Sequence, residues 1–257
     1  MDAPEQLRRR YAQWSWSLAW NHTPQLVTWR LDGPDGQVCY LKVAPAPWSP
    51  RLADEAARMR WARTWLPVPQ VVEDGTDGQT DWLVTVALPG LDATADALRA
   101  DPAAMVEVLA AGLRRVHAVP AAGCPFDFRL DTALAQVRAR VAVGLVDPQR
   151  DFHAEHRHLS AAAALAELDR LRPSTEDQVV CHGDFCLPNV LVTDRTVTGL
   201  VDLGRLAVAD RWWDLAVAAW SVAWNLGPQW QQPFLAAYGV APDEPRIAFY
   251  RLLYDLM

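Results

Sequence analysis

The chain has 257 residues, 51% of them hydrophobic and 21% charged, with a formal net charge of −7. This composition supports a sizeable core and excludes an intrinsically disordered chain. The acidic balance argues against an extended nucleic-acid surface, which needs clustered Lys and Arg, and the length suits one two-lobed domain or two small ones.

Taken in chain order, Arg8-Arg9-Arg10 is the only dense basic cluster, and it reads as the solvated face of a helix-like segment. Gln25 to Leu31 alternates like a strand, Asp32-Gly33-Pro34-Asp35-Gly36 is a turn cluster, and Gln37 to Val43 alternates again, which predicts a hairpin. Leu52 to Leu66 is helical up to Pro67. Val68 to Glu73 and Trp82 to Leu88, separated by the turn residues Asp74 to Gly78, predict a second hairpin. Pro89-Gly90 then breaks the chain, dividing it into an N-terminal lobe over 1–88 and a C-terminal lobe over 89–257.

The second lobe reads as mainly helical. Asp101-Pro102 opens a helix to about Val119, and Leu130 to Val143 forms another that stops at Gly144. Ser160 caps a third, which ends before Pro173. Gln178 to Val180 is strand-like, Cys181 to Pro188 is a loop, and Val190 to Thr193 with Val197 to Val201 forms a small hairpin. Asp210 to Leu226 is helical, and a last helix runs from Pro245 to the end. A small sheet lobe followed by a large helical one is α+β.

The longest near-apolar run, Leu215 to Trp224, is about half of the ~20 residues a membrane-spanning helix needs. The first residues lack the apolar core of a signal peptide. Cys39, Cys124, Cys181 and Cys186 form no CxxC pair and read as reduced thiols. Together these features predict a cytoplasmic protein with no membrane partner. The 13 Trp residues, against 5 Tyr and 6 Phe, predict either a core or a substrate cleft rich in indole.

The chemistry concentrates in Cys181-His182-Gly183-Asp184-Phe185-Cys186-Leu187-Pro188-Asn189 and, beyond a hairpin, Val201-Asp202-Leu203-Gly204-Arg205. Asp184, Asn189 five residues later and Asp202 thirteen further on supply two carboxylates and an amide oxygen. Such hard oxygen donors suit Mg2+, which completes its shell with phosphate and water and so implies a phosphorylated ligand. The spacing parallels a kinase catalytic loop, with H-G-D for H-R-D and D-L-G for D-F-G. Lys42 on the second predicted strand and Glu55 on the following helix match the strand-Lys, helix-Glu pair that clamps nucleotide phosphates. Taken singly, each residue has an ordinary reading: a turn Asp, a strand Lys, a solvated helix Glu. Only the set overturns them.

The run His182 to Asn189, the run Asp202-Leu203-Gly204-Arg205-Leu206-Ala207-Val208-Ala209-Asp210-Arg211 and Arg246 to Leu253 resemble the aminoglycoside 3'-phosphotransferases. The resemblance spans nearly the whole chain. It implies a bilobal protein-kinase-like fold and Mg-ATP as phosphoryl donor. It places Asp184 as the catalytic carboxylate toward the acceptor hydroxyl, with Asn189 and Asp202 as magnesium ligands. Lys42 would contact the donor's phosphates, oriented by Glu55. Val86-Ala87-Leu88 would be the interlobe linker that meets adenine through the backbone of Val86 and Leu88, and Asp214 the buried carboxylate bracing the catalytic loop. The implied partner is a small hydroxylated acceptor, with no obligate protein partner.

Two regions depart from the pattern. A polycationic acceptor needs several carboxylates in its cleft. Asp151 and Glu155 stay acidic here, but His153 and Ala154 fall where relatives carry acids. Trp220, Ser221 and Trp224 fall at Arg, Asp and Glu positions. The end reads Tyr254-Asp255-Leu256-Met257, which keeps Asp255 and the terminal carboxylate of Met257. Trp220 and Trp224, at i and i+4, predict either core packing or an aromatic pocket wall. On the nucleotide side, Ala19-Trp20-Asn21-His22-Thr23-Pro24 would be the phosphate-covering loop. It has no glycine, and Asn21 or Thr23 would be its donor. These departures leave open ATP or GTP as donor, a less cationic antibiotic or metabolite as acceptor, and a nucleotide-binding pseudokinase.

Overall fold

The computed structural model describes residues 2–23, 26–46 and 51–257. Gln25, the start of the first expected strand, and Pro24 of the expected phosphate-covering loop lie outside them, as do the side chains of His22 and Thr23. The chain divides into two compact units: Met1–Gly90 with Leu191–Thr193 and Thr198–Arg205, and Leu91–Val190 with Asp194–Val197 and Leu206–Met257.

The first unit is built on an antiparallel sheet of β1 (Ser15–Thr23), β2 (Leu26–Asp32), β3 (Val38–Pro45), β4 (Val71–Thr76) and β5 (Thr80–Val86), in the order β1-β2-β3-β5-β4. Helix α1 (Glu5–Arg10) precedes the sheet and α2 (Leu52–Ala62) follows β3. Alternation along the strands sorts the side chains between the two faces. Leu31, Cys39, Leu41, Val43 and Val84 join Leu7 and Tyr11 in one core, with Trp14, Trp16 and Trp29 packed against it. Lys42, between Leu41 and Val43, therefore turns to the opposite face, where α2 brings Glu55.

Several boundaries differ from the sequence expectation, each for a local reason. The segment expected as a phosphate-covering loop continues β1 as far as Thr23, pairing Trp20 with Thr28 and Asn21 with Val27. Helix α2 stops at Ala62, where the Ala62 carbonyl takes the N–H groups of both Trp65 and Leu66 in a closing turn, and Pro67 disfavours helical backbone at Leu66. Strand β4 runs through Gly75 to Thr76, since the glycine leaves room for an indole: a Cβ there would lie 2.5 Å from the Trp82 ring.

The second unit begins with β6 (Leu91–Asp92) and the short α3 (Asp96–Arg99), then α4 (Pro102–His117), α5 (Leu130–Ala142), α6 (Pro148–Asp151) and α7 (Ala161–Leu171). The caps are those the sequence signals. Asp101 accepts from Ala104 N at 3.1 Å and Ser160 Oγ from Ala163 N at 3.2 Å. Strand β7 (Gln178–Cys181) leads into the Asp184 loop, and the hairpin of β8 (Val190–Thr193) and β9 (Thr196–Leu200) follows in sequence, most of its residues belonging to the first unit. Its turn residues Asp194 and Arg195 both have positive φ, 47° and 57°, the hand that matches strand twist.

Asp210, expected to start the next helix, instead ends β10 (Ala207–Asp210), antiparallel to β7 with Ala207 opposite Cys181 and Asp210 opposite Gln178. Helix α8 (Trp212–Leu226) starts only at Trp212, whose N–H bonds Asp210 Oδ1 at 3.1 Å. α9 (Gln231–Tyr238) and α10 (Glu244–Asp255) complete the unit. The apolar run in α8 is core: Trp212 through Val222 are all buried. Among the described residues no helix is long and apolar enough to cross a membrane.

Gly112 on α4 permits the close approach of Val197, because a Cβ there would lie 2.5 Å from Val197 Cγ2. Glycine-to-alanine in a helix ordinarily gains about 1 kcal/mol of propensity. Gly112→Ala is expected instead to destabilise by about 1–3 kcal/mol through overpacking, measured by urea unfolding. The added Val197→Ala should recover part of that loss.

Candidate active site

In the first unit, β3 and α2 bring Lys42 and Glu55 together. Lys42 Nζ donates to Glu55 Oε1 and Oε2 at 2.9 and 3.0 Å, and to Asp202 Oδ1 at 2.5 Å. Glu55 is only 5% exposed, so its carboxylate meets the ammonium away from water. Burial alone would lower the Lys42 pKa, but Asp202 and then Glu55 outweigh it and hold the ammonium above its usual range. Asp202 has φ +60°, a left-handed conformation that an aspartate tolerates better than most residues. Three of the residues expected on the nucleotide side are thus gathered at one point.

The linker residues are partly committed to the sheet. Val86 N–H bonds Gln70 O and Ala87 N–H bonds Val38 O, both at 2.9 Å.

In the second unit, the catalytic-motif loop hangs from α8. Asp214, fully buried, accepts from His182 N at 2.7 Å and from Gly183 N at 2.8 Å. His117 Nε2 lies 3.1 Å from Asp214 and its Nδ1 lies 2.7 Å from Tyr238 OH. A hydrogen on Nε2 satisfies both contacts, with Tyr238 donating. Ser221 Oγ accepts from Leu187 N at 2.9 Å, tying down the other end of the loop. The nearby Cys181 thiol is pushed well above its usual pKa by burial, reinforced by Asp214 and Asp210. It remains a protonated donor to Asp210 O rather than a nucleophile.

The loop presents Asp184 with its carboxylate already oriented. Asn189 Nδ2 donates to Asp184 Oδ2 and to its carbonyl, both at 3.0 Å. Tyr254 OH donates to Oδ1 at 2.9 Å, and Cys186 Sγ lies 3.2 Å from the same oxygen. Tyr254 and Cys186 were not anticipated as partners of Asp184. Tyr254 lies 70 residues away on α10, where no local pattern could reveal the contact.

The expected acceptor residues separate into reachable and committed groups. Asp255, expected to face the acceptor, is only 3% exposed. It takes His153 Nδ1 on Oδ1 at 2.5 Å, and His156 Nδ1 and His153 N on Oδ2 at 2.6 and 3.0 Å. Burial would raise its pKa, but the two imidazoles hold it below the usual carboxylate range. Ser221, also expected at the acceptor, is buried under the loop it holds. Trp220 is 5% exposed and Trp224 54%, so the two indoles divide between core and surface. Trp220 Nε1 donates to Glu155 Oε2 at 3.2 Å. Asp151 is held by Arg150 at 2.7 and 2.9 Å, and Met257 N bonds Tyr254 O at 3.1 Å. His153, stacked on Trp224 and bonded to Asp255, is the residue whose role the sequence concealed.

Comparison with known proteins bears on this arrangement. The sequence profile of the phosphotransferase enzyme family matches residues 25–250. An aminoglycoside 3'-phosphotransferase of Streptomyces fradiae is 42% identical, over 96% of this chain and 97% of its own. The crystal structure of an aminoglycoside-3'-phosphotransferase of type VIII superposes with TM-score 0.90 at 38% identity, covering 98% of this chain and 97% of that one. Aminoglycoside phosphotransferase APH(3'')-Id of Streptomyces rimosus, solved with ADP and streptomycin, gives TM-score 0.78 at 31% identity, covering 97% and 95%.

Removing the Asp214 carboxylate would strand two buried backbone donors, each costing about 1–3 kcal/mol. Asp214→Ala is therefore expected to lose roughly 2–6 kcal/mol of stability by the same principle. Asp214→Asn, which keeps one acceptor oxygen, should lose less. Chemical denaturation of the two variants beside the parent checks the order.

Proposed function

The chain belongs to the aminoglycoside phosphotransferase family, and from that premise we propose that it transfers the γ-phosphoryl group of ATP to a hydroxyl of an aminoglycoside-type antibiotic. The observation that carries the proposal is the Asp184 carboxylate, oriented by Asn189 on a loop whose backbone is fixed by Asp214. An acceptor hydroxyl meeting Asp184 gives up its proton to the carboxylate as its oxygen bonds phosphorus and the bond to the departing ADP breaks. Preorganisation supports this role: the carboxylate is already positioned before an acceptor arrives.

On the donor side, Lys42 would bind the phosphates while Glu55 holds its ammonium in place. The Val86 carbonyl and Leu88 N–H would read the adenine edge. Asn189 and Asp202 would hold Mg2+, since both offer the hard oxygen donors it prefers. The metal, when bound, would neutralise charge on the transferring phosphates. The division into a nucleotide-binding unit and an acceptor-binding unit, and residence in the cytoplasm, complete the proposal.

Wild-type protein with Mg-ATP and a kanamycin and neomycin panel is expected to give a one-phosphoryl mass gain on at least one compound. Asp184→Ala should reduce that rate by about 10²–10⁴-fold with an unchanged circular dichroism spectrum. Equal turnover in the variant would refute the mechanism, and nucleotide binding with no transfer to any hydroxylated acceptor would make the protein a pseudokinase. Lys42→Met is expected to lower kcat/KM for ATP by about a hundredfold, read from initial rates at varied ATP.

A further inference from the structure

An aromatic wall runs away from Asp184 in the second unit. Tyr254, which donates to Asp184, has its ring centroid 6.0 Å from that of His153. His153 stacks on Trp224 at 4.7 Å with a 17° interplanar angle, and Trp224 lies 5.0 Å from Trp220. With Trp224 54% exposed, the wall ends in an open indole surface.

The acidic side chains around this wall already have protein partners, and they differ in how far they stay exposed. Asp255 is buried beneath two imidazoles. Asp151 is paired with Arg150. Glu155 accepts from Trp220 Nε1 and lies 3.3 Å from His156 Nε2 and 3.8 Å from Arg251. The Arg251 guanidinium itself sits 5.2 Å from the Trp220 ring centroid, which adds a positive charge beside that indole. Each ammonium desolvated in a cleft needs a carboxylate it can reach. Of Asp151, Glu155 and Asp255, the most exposed side chain is Glu155, at 42%.

We infer that the acceptor site selects a sugar with few ammonium groups. One cation meets Glu155 and a ring face lies on Trp224 and His153 while the hydroxyl meets Asp184. This deepens the proposed function and rests on it. Binding here is by stacking and a single charge contact, in place of a ring of carboxylates.

The test compares neomycin, kanamycin and hygromycin B, in falling order of amino-group number, with wild type, Trp224→Ala and Trp224→Glu. Initial rates are measured with Mg-ATP, and Kd by calorimetry without nucleotide. Wild-type kcat/KM is expected to rise as amino-group number falls, with Kd in the same order. Trp224→Ala should weaken the preferred acceptor by about threefold to tenfold, chiefly through KM. Trp224→Glu should shift preference toward neomycin. A wild-type preference for neomycin, or a Trp224→Glu variant with unchanged preference, overturns the inference and leaves the proposed phosphotransfer standing. Transfer to none of the three by folded wild-type protein overturns the inference and the proposed function together.

Discussion

A carboxylate sealed from water must collect hydrogen bonds in place of hydration. Asp214 does so by taking the backbone N–H groups of His182 and Gly183 on its two oxygens. That requirement runs in both directions. The loop amides need an acceptor because they are buried, and the carboxylate needs donors for the same reason, so each fixes the other. His117 and Tyr238 extend the network to α4 and α9. The outcome is an Asp184 loop whose backbone is set by the interior of the second unit, with the carboxylate itself oriented by Asn189 and Tyr254.

The first unit solves a different electrostatic problem. A buried ammonium at Lys42 is tolerable only because two carboxylates converge on it, one from the buried α2 face and one from the strained residue after β9. Glu55 is nearly inaccessible, whereas the Asp202 side chain retains 43% of its exposure. Glu55 therefore meets Lys42 out of reach of solvent, while Asp202 meets it at the water-accessible side. Strand alternation makes the arrangement possible: the same three-residue stretch sends Leu41 and Val43 to the core and Lys42 to the site.

The sequence exposed the parts of the site that lie close together along the chain or follow a strand-then-helix order. Asp184 and Asn189 share one loop, and Lys42 and Glu55 sit on consecutive elements. What it concealed depends on contacts between distant segments. Nothing near Asp255 in sequence reveals that His153 and His156, about a hundred residues earlier, cover it. An acidic residue was legible, but its accessibility was not. The same limit applies to secondary structure. Ala207–Asp210 is too short and too rich in small residues for periodicity to separate strand from helix, and only its pairing with β7 decides.

That distinction between possessing a carboxylate and presenting one governs how the acceptor side should be read. Counting acids along the sequence credits the site with Asp151, Glu155 and Asp255 alike. The structure spends Asp255 on ordering two imidazoles, and those imidazoles in turn position the face on which Trp224 stacks. A buried charge has thus been converted into a means of holding an aromatic surface. Restoring a carboxylate at the open edge of that surface would change what the site attracts without disturbing the network beneath it, because Trp224 is exposed and Asp255 is not. On the proposed reading, acceptor preference and the geometry of the Asp184 loop are therefore separable: the first would lie with the exposed Trp224 on α8, and the second is held in the buried first turn of the same helix by Asp214.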